Sequence, residues 1–127
     1  MRGLIVGVFV VLLAACSAPD PRYQIPTQMW NDTVIEVQVM PTPVRPGMSE
    51  FLVLTTLERG KPVHDLLVSL RADTSGEWQQ AIQDGQSGVH RRALYLPGTP
   101  VLYLQLRKKR SDEAAVVLEF PLVFEAD

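Results

Sequence analysis

Residues 34–40 read Val-Ile-Glu-Val-Gln-Val-Met, and this stretch sets the fold class. Ile35, Val37 and Val39 share one face; Glu36 and Gln38 take the other. Successive side chains of a strand point to opposite sides, so this alternation predicts a half-buried β-strand.

The same period continues downstream. Residues 41–47, PTPVRPG, force a loop, and 51–57, FLVLTTL, are β-rich and nearly all apolar. A turn at 58–62 leads into 63–71, where Leu66, Val68 and Leu70 alternate with Leu67, Ser69 and Arg71. Residues 72–76 are polar and loop-like. The stretch 77–83 reads as a short strand with Trp78 and Ile82 on one side, or as helix, since EWQQAI contains good helix formers. DGQSG at 84–88 signals a hairpin turn. In 89–96, Leu94 and Leu96 face one way, Ala93 and Tyr95 the other. After a break at 97–100, residues 101–107 place Leu102, Leu104 and Leu106 on one face. A charged turn at 108–113 precedes 115–124, with Val116, Leu118, Phe120 and Leu122 inward. Pro121 lacks an N–H, so its strand belongs at an edge or a bulge. About seven short strands without a long helix predict an all-β, immunoglobulin-like antiparallel β-sandwich over 33–127.

Upstream of the sandwich, 17–31 read SAPDPRYQIPTQMWN. Pro19, Pro21 and Pro26 oppose regular structure, so 16–32 read as a Pro-rich linker. Fifteen residues at about 3.1 Å each would reach roughly 45 Å. Tyr23, Ile25, Met29 and Trp30 are apolar enough for the later part to dock on the domain.

Residues 1–16 read MRGLIVGVFVVLLAAC. Arg2 precedes an apolar run from Leu4 to Ala15 that is shorter than the ~20 residues needed to cross a bilayer. A basic start, an apolar centre and small residues at its end predict a signal peptide over 1–15.

The chain has 127 residues, 46% of them hydrophobic, and carries 12 basic against 14 acidic residues. That length suits one domain. A net charge of −2 argues against a nucleic-acid partner, which calls for a basic face. The single cysteine forms no internal disulfide.

Leu13-Ala14-Ala15-Cys16 resembles the lipobox of bacterial lipoproteins. The resemblance implies cleavage by signal peptidase II between Ala15 and Cys16, with a diacylglyceryl group on the Cys16 thiol. Two or more acyl chains hold a protein stably on a membrane, where one does so only marginally. In lipoproteins of this kind an Asp after the cysteine favours the inner membrane. Ser17 therefore implies the periplasmic side of an outer membrane, or the cell surface of a Gram-positive source. A second resemblance covers about 70 residues. Val44, Pro46, Gly47 and Phe51, then Gly60, Pro62 and Val63, then Gly88 and Pro97-Gly98 resemble the YtkA-like/FixH-like group of small extracytoplasmic β-sandwich modules. That group implies assembly or accessory work at membrane complexes, and a copper-handling role as the alternative. Its mid-domain Met-rich stretch has no counterpart here.

Candidate chemistry is sparse. His64 and His90 with Met29, Met40 and Met48 could offer soft or imidazole ligands to copper. They form no His-x-His or Met-x-Met cluster, and fit better as two surface histidines and three core or linker methionines. Ser87 lies in GQSG, which is not a nucleophile elbow. Asp112 and Glu113 read as a solvated pair. Arg107-Lys108-Lys109-Arg110 reads as a solvated hairpin tip, or as a contact to acidic envelope polymers that Arg91 and Arg92 could extend. Phe51, Trp78 and Tyr103 are aromatic anchor candidates, although core packing is the more common use of each. The sequence thus points to a non-enzymatic envelope accessory module, held to a membrane through Cys16, with an envelope protein as partner and no cofactor.

Overall fold

The computed structural model describes residues 21–125. The leader 1–15, Cys16 and Ser17 lie outside them. Nine strands follow in chain order: β1 (Gln28–Trp30), β2 (Thr33–Met40), β3 (Gly47–Leu57), β4 (Leu66–Arg71), β5 (Gln79–Gln80), β6 (Ile82–Gln83), β7 (Val89–Leu96), β8 (Val101–Lys108) and β9 (Val116–Pro121). One 3-10 turn, Pro21–Tyr23, precedes them. No helix among the described residues is long and apolar enough to cross a membrane.

The strands form two antiparallel sheets, ordered β1-β2-β3-β7-β6 and β5-β4-β8-β9. With β1 set aside, these orders match A-B-E-D and C′-C-F-G of an immunoglobulin sandwich. The alternation read in the sequence decides which side chains fill the space between the sheets. Ile35, Val37 and Val39 of β2, with Phe51 and Val53 of β3, face Leu66, Val68 and Leu70 of β4. Leu102, Leu104 and Leu106 are fully buried along β8, which lies between β4 and β9. Burying each such leucine contributes roughly 1.5–3 kcal/mol. Pro121 ends β9, whose one strand neighbour is β8, so its missing N–H costs no ladder bond.

Residues 77–83 depart from the expectation. They form neither one strand nor a helix. β5 pairs with β4 in the second sheet and β6 with β7 in the first. At the switch, buried Ala81 donates its N–H to Val68 O at 2.8 Å. Trp78 therefore lies beside the second sheet while Ile82 belongs to the first, where it points to solvent, 71% exposed, so the two do not share one side of a single strand.

Two ends result. At one lie the loops 41–46 and 97–100 and the closing segment 122–125, tied by the Val44–Phe124 bridge and the 2.7 Å Arg45–Glu125 ion pair. At the other lie 31–32, 58–65, 84–88 and 109–115. Within the segment read as a linker, β1 pairs with β2 through Gln28–Ile35, Met29–Val34 and Trp30–Thr33.

Candidate functional site

The 58–65 end is built around Thr55. Its backbone N–H donates to Gly88 O at 2.9 Å, and its carbonyl accepts Val63 N–H at 2.9 Å. The hydroxyl donates to Val63 O at 2.7 Å, with Gly88 O at 3.2 Å and His90 Nε2 at 3.4 Å. A hydroxyl has one proton, and Val63 O is its nearest acceptor. His90 Nε2 is then the donor to Thr55 Oγ1. Gly88 is required here: its φ is +75°, and a Cβ would lie 2.6 Å from Thr55 O.

His90 is therefore not a surface histidine. It is 1% exposed. Burial, aided by the Lys109 charge, holds its pKa down to about 4, so the ring is neutral near pH 7. The sequence carries the signal: His90 has the same parity as Leu94 and Leu96 along β7. Ser87 is a turn residue, its Oγ donating to Asp84 O at 2.6 Å and accepting Val89 N–H at 3.3 Å.

Above this network lies an open cleft of about 660 Å³, lined by Trp30, Asp32, Lys61, His64, Asp65 and Lys108 among others. Two lysines face two aspartates, so the cleft has no dominant sign. Lys108 Nζ is 6.0 Å from the Trp30 ring centre and 3.5 Å from Glu113. Lys109 Nζ donates to Gln83 Oε1 at 2.6 Å and to the His64 carbonyl at 3.2 Å. His64 is exposed, and its imidazole makes no hydrogen bond or ion pair among the described residues.

The structure separates the remaining candidates. Met48 sits seven residues from Thr55 along β3, about 24 Å from the network at extended-strand rise. It does not meet His64 or His90. No group of three His, Cys, Asp or Glu that could hold a metal occurs among the described residues. Met40 and Met48 are not core residues; they are 62% and 65% exposed, and Met29 is 48% exposed. Arg91 and Arg92 do not extend the basic run. Arg91 points out of the first sheet to Glu50 at 3.6 Å and Asp84 at 3.7 Å. Arg92 has inward parity and reaches Gln79 Oε1 of the other sheet. Asp112 and Glu113 are exposed.

Of the three aromatic anchors, Phe51 is core, with no exposure. Trp78 and Tyr103 are half-buried on the outer face of the second sheet, joined by Arg71, which the sequence did not flag. Arg71 pairs with Tyr103 in the β4–β8 ladder. Its Cζ lies 4.1 Å from the Trp78 ring centre and 5.9 Å from that of Tyr103. Nη1 donates to Gly76 O at 3.3 Å, and Nε is buried without a hydrogen-bond partner among the described residues. Cation–π stacking of this kind is worth roughly 0.5–2 kcal/mol. It also presents together the three residue types, Trp, Tyr and Arg, that carry most interface energy.

The fold defines the chain as an immunoglobulin-like antiparallel β-sandwich with a Trp–Arg–Tyr stack on one face. No family model matches the chain, and no curated protein matches it. Among solved structures, it is similar to a DUF4426 family protein from Pseudomonas aeruginosa at 15% identity and a TM-score of 0.46, over 80% of this chain and 99% of the other.

Proposed function

We propose that the protein is a lipid-anchored module of the cell envelope, held on the periplasmic side of a membrane by acyl chains on Cys16, and that it serves an envelope protein complex as a non-enzymatic binding or accessory component. The observation that carries this reading is the apolar run Leu4–Ala15 ending in Leu13-Ala14-Ala15-Cys16. Ser17 favours the outer membrane of a Gram-negative envelope. The turn residues that resemble the YtkA-like/FixH-like group are compatible with it: Gly60, Gly88 and Gly98 all have positive φ at strand ends. The Trp78–Arg71–Tyr103 stack is the surface we assign to the protein partner, because its residue types suit a partner-facing hot spot.

Metabolic labelling with radioactive palmitate, followed by membrane fractionation, tests the anchor. The wild type should carry label and sediment with membranes. Cys16→Ala should carry none and should keep the uncleaved residues 1–15. Equal label on both would refute the assignment to Cys16.

A further inference from the structure

We propose that the outer face of the first sheet, at its 41–46 end, lies directly on the bilayer that holds Cys16. The proposal rests on the lipid-anchor reading above. It adds an orientation and a contact surface that the anchor alone does not specify.

Three of the largest exposed apolar side chains meet at this corner. Met40, Met48 and Tyr95 are 62%, 65% and 66% exposed. Met48 is directly opposite Tyr95 in the β3–β7 ladder. Met40 is opposite Glu50, so it lies diagonal to Met48 on the same face. Farther along, that face carries Gln38, Glu36 and Arg91, which suit water. Contiguous exposed apolar side chains on a small domain mark a contact surface.

The chain leaves the domain at the same corner. Pro21, Tyr23, Met40 and Thr42 line one cleft. Because 21–30 lie along the domain, only five peptide steps separate Pro21 from Cys16. They span at most about 17 Å, well under the roughly 45 Å of a free fifteen-residue linker. A lipidated Cys16 therefore brings this corner, and not the 58–65 end, to the membrane surface. A short tether also raises the effective concentration of the patch at the bilayer to the millimolar range, so weak contacts suffice.

The chemistry of the corner suits a lipid interface. Tyrosine places an apolar ring and a polar tip at headgroup depth. Methionine adapts to a disordered apolar neighbour. The nearby charges are internally paired, Glu50 with Arg91 at 3.6 Å and Arg45 with Glu125 at 2.7 Å. The contact therefore requires no anionic lipid. Three side chains fall short of the ~800 Å² per partner of a stable dimer, which argues against a second copy as the occupant.

The test uses the full chain, lipidated in the cell and reconstituted in phosphatidylcholine vesicles. A nitroxide is placed on Ala93→Cys, beside the patch, or on Gln86→Cys, at the opposite end. Acylation leaves each introduced cysteine as the free thiol. The label at 93 should be more accessible to oxygen than to a water-soluble nickel chelate, and the label at 86 the reverse. Met40→Ser, Met48→Ser and Tyr95→Ser combined should turn the label at 93 into a water-facing one while the protein still floats with vesicles. If the label at 93 already faces water in the floating wild type, the docking proposal fails and the anchor stands. Dipolar broadening between labels at 93 would assign the patch to a second copy and likewise overturn it. If the protein does not float and Cys16 titrates as a free thiol, the anchor fails and the docking with it.

Discussion

The two ends of this sandwich use their side chains in opposite ways. At the 58–65 end, polar groups face inward and consume one another: Thr55, His90 and the Gly88 and Val63 carbonyls form one buried set. At the 41–46 end, apolar groups face outward, and Met40, Met48 and Tyr95 are 62–66% exposed. The first arrangement holds the fold and leaves little for a ligand. The second contributes little to the fold and is free to meet a membrane. A histidine in a strand is thus a poor guide to chemistry here.

Substitutions at the first end should damage the fold most. Gly88→Ala combines a positive φ with a Cβ 2.6 Å from a carbonyl oxygen. It should cost about 3 kcal/mol in urea unfolding. Gly85→Asn, three residues away, has φ +59° and nothing within 4 Å of its Cβ. It should stay within about 0.5 kcal/mol. Equal effects would mean that the tight approach to Thr55 is not what fixes the turn.

Acid should act through His90. An unfolded imidazole titrates near 6.5, and the folded one resists protonation down to about 4. Between those values the unfolded chain binds the extra proton, so stability is full above pH 6.5 and declines as pH falls towards 4. The gap corresponds to about 3 kcal/mol. Unfolding measured across this window should show that slope in the wild type and lose it in His90→Gln; the same slope in both would place the acid sensitivity elsewhere.

Thr55→Val keeps the shape but leaves Val63 O without its hydroxyl donor. A loss of about 2 kcal/mol is expected from equilibrium unfolding. The smallest change in stability should come from the second end. Met40→Ser, Met48→Ser and Tyr95→Ser should each stay within about 0.5 kcal/mol. A large loss from any of them would show that the patch packs against the domain and does not serve contact.

Much of the fold was legible because alternation is a local property. The inward sets of β2, β4, β8 and β9 follow parity, and the turns follow Gly and Pro. His90 is legible too: parity places it with Leu94 and Leu96, against the surface position that its arginine neighbours suggest. What could not be read depends on register and on sheet exchange. Arg71 meets Tyr103 only because β4 and β8 pair with that offset, and Trp78 joins them because β5 pairs with β4 through Leu70–Gln79 before the chain crosses between sheets at Ala81. Nothing within 77–83 specifies that crossing. Phe51 is offered as a contact anchor although core is the commoner use of such a residue, and it is core; parity shows sides but not which side faces the second sheet.

The most direct test is an intact-mass measurement of the protein extracted from membranes of its own cells. The account expects a chain beginning at Cys16 and carrying the added mass of a diacylglyceryl group. A chain that still carries residues 1–15, with an unmodified Cys16, would contradict it.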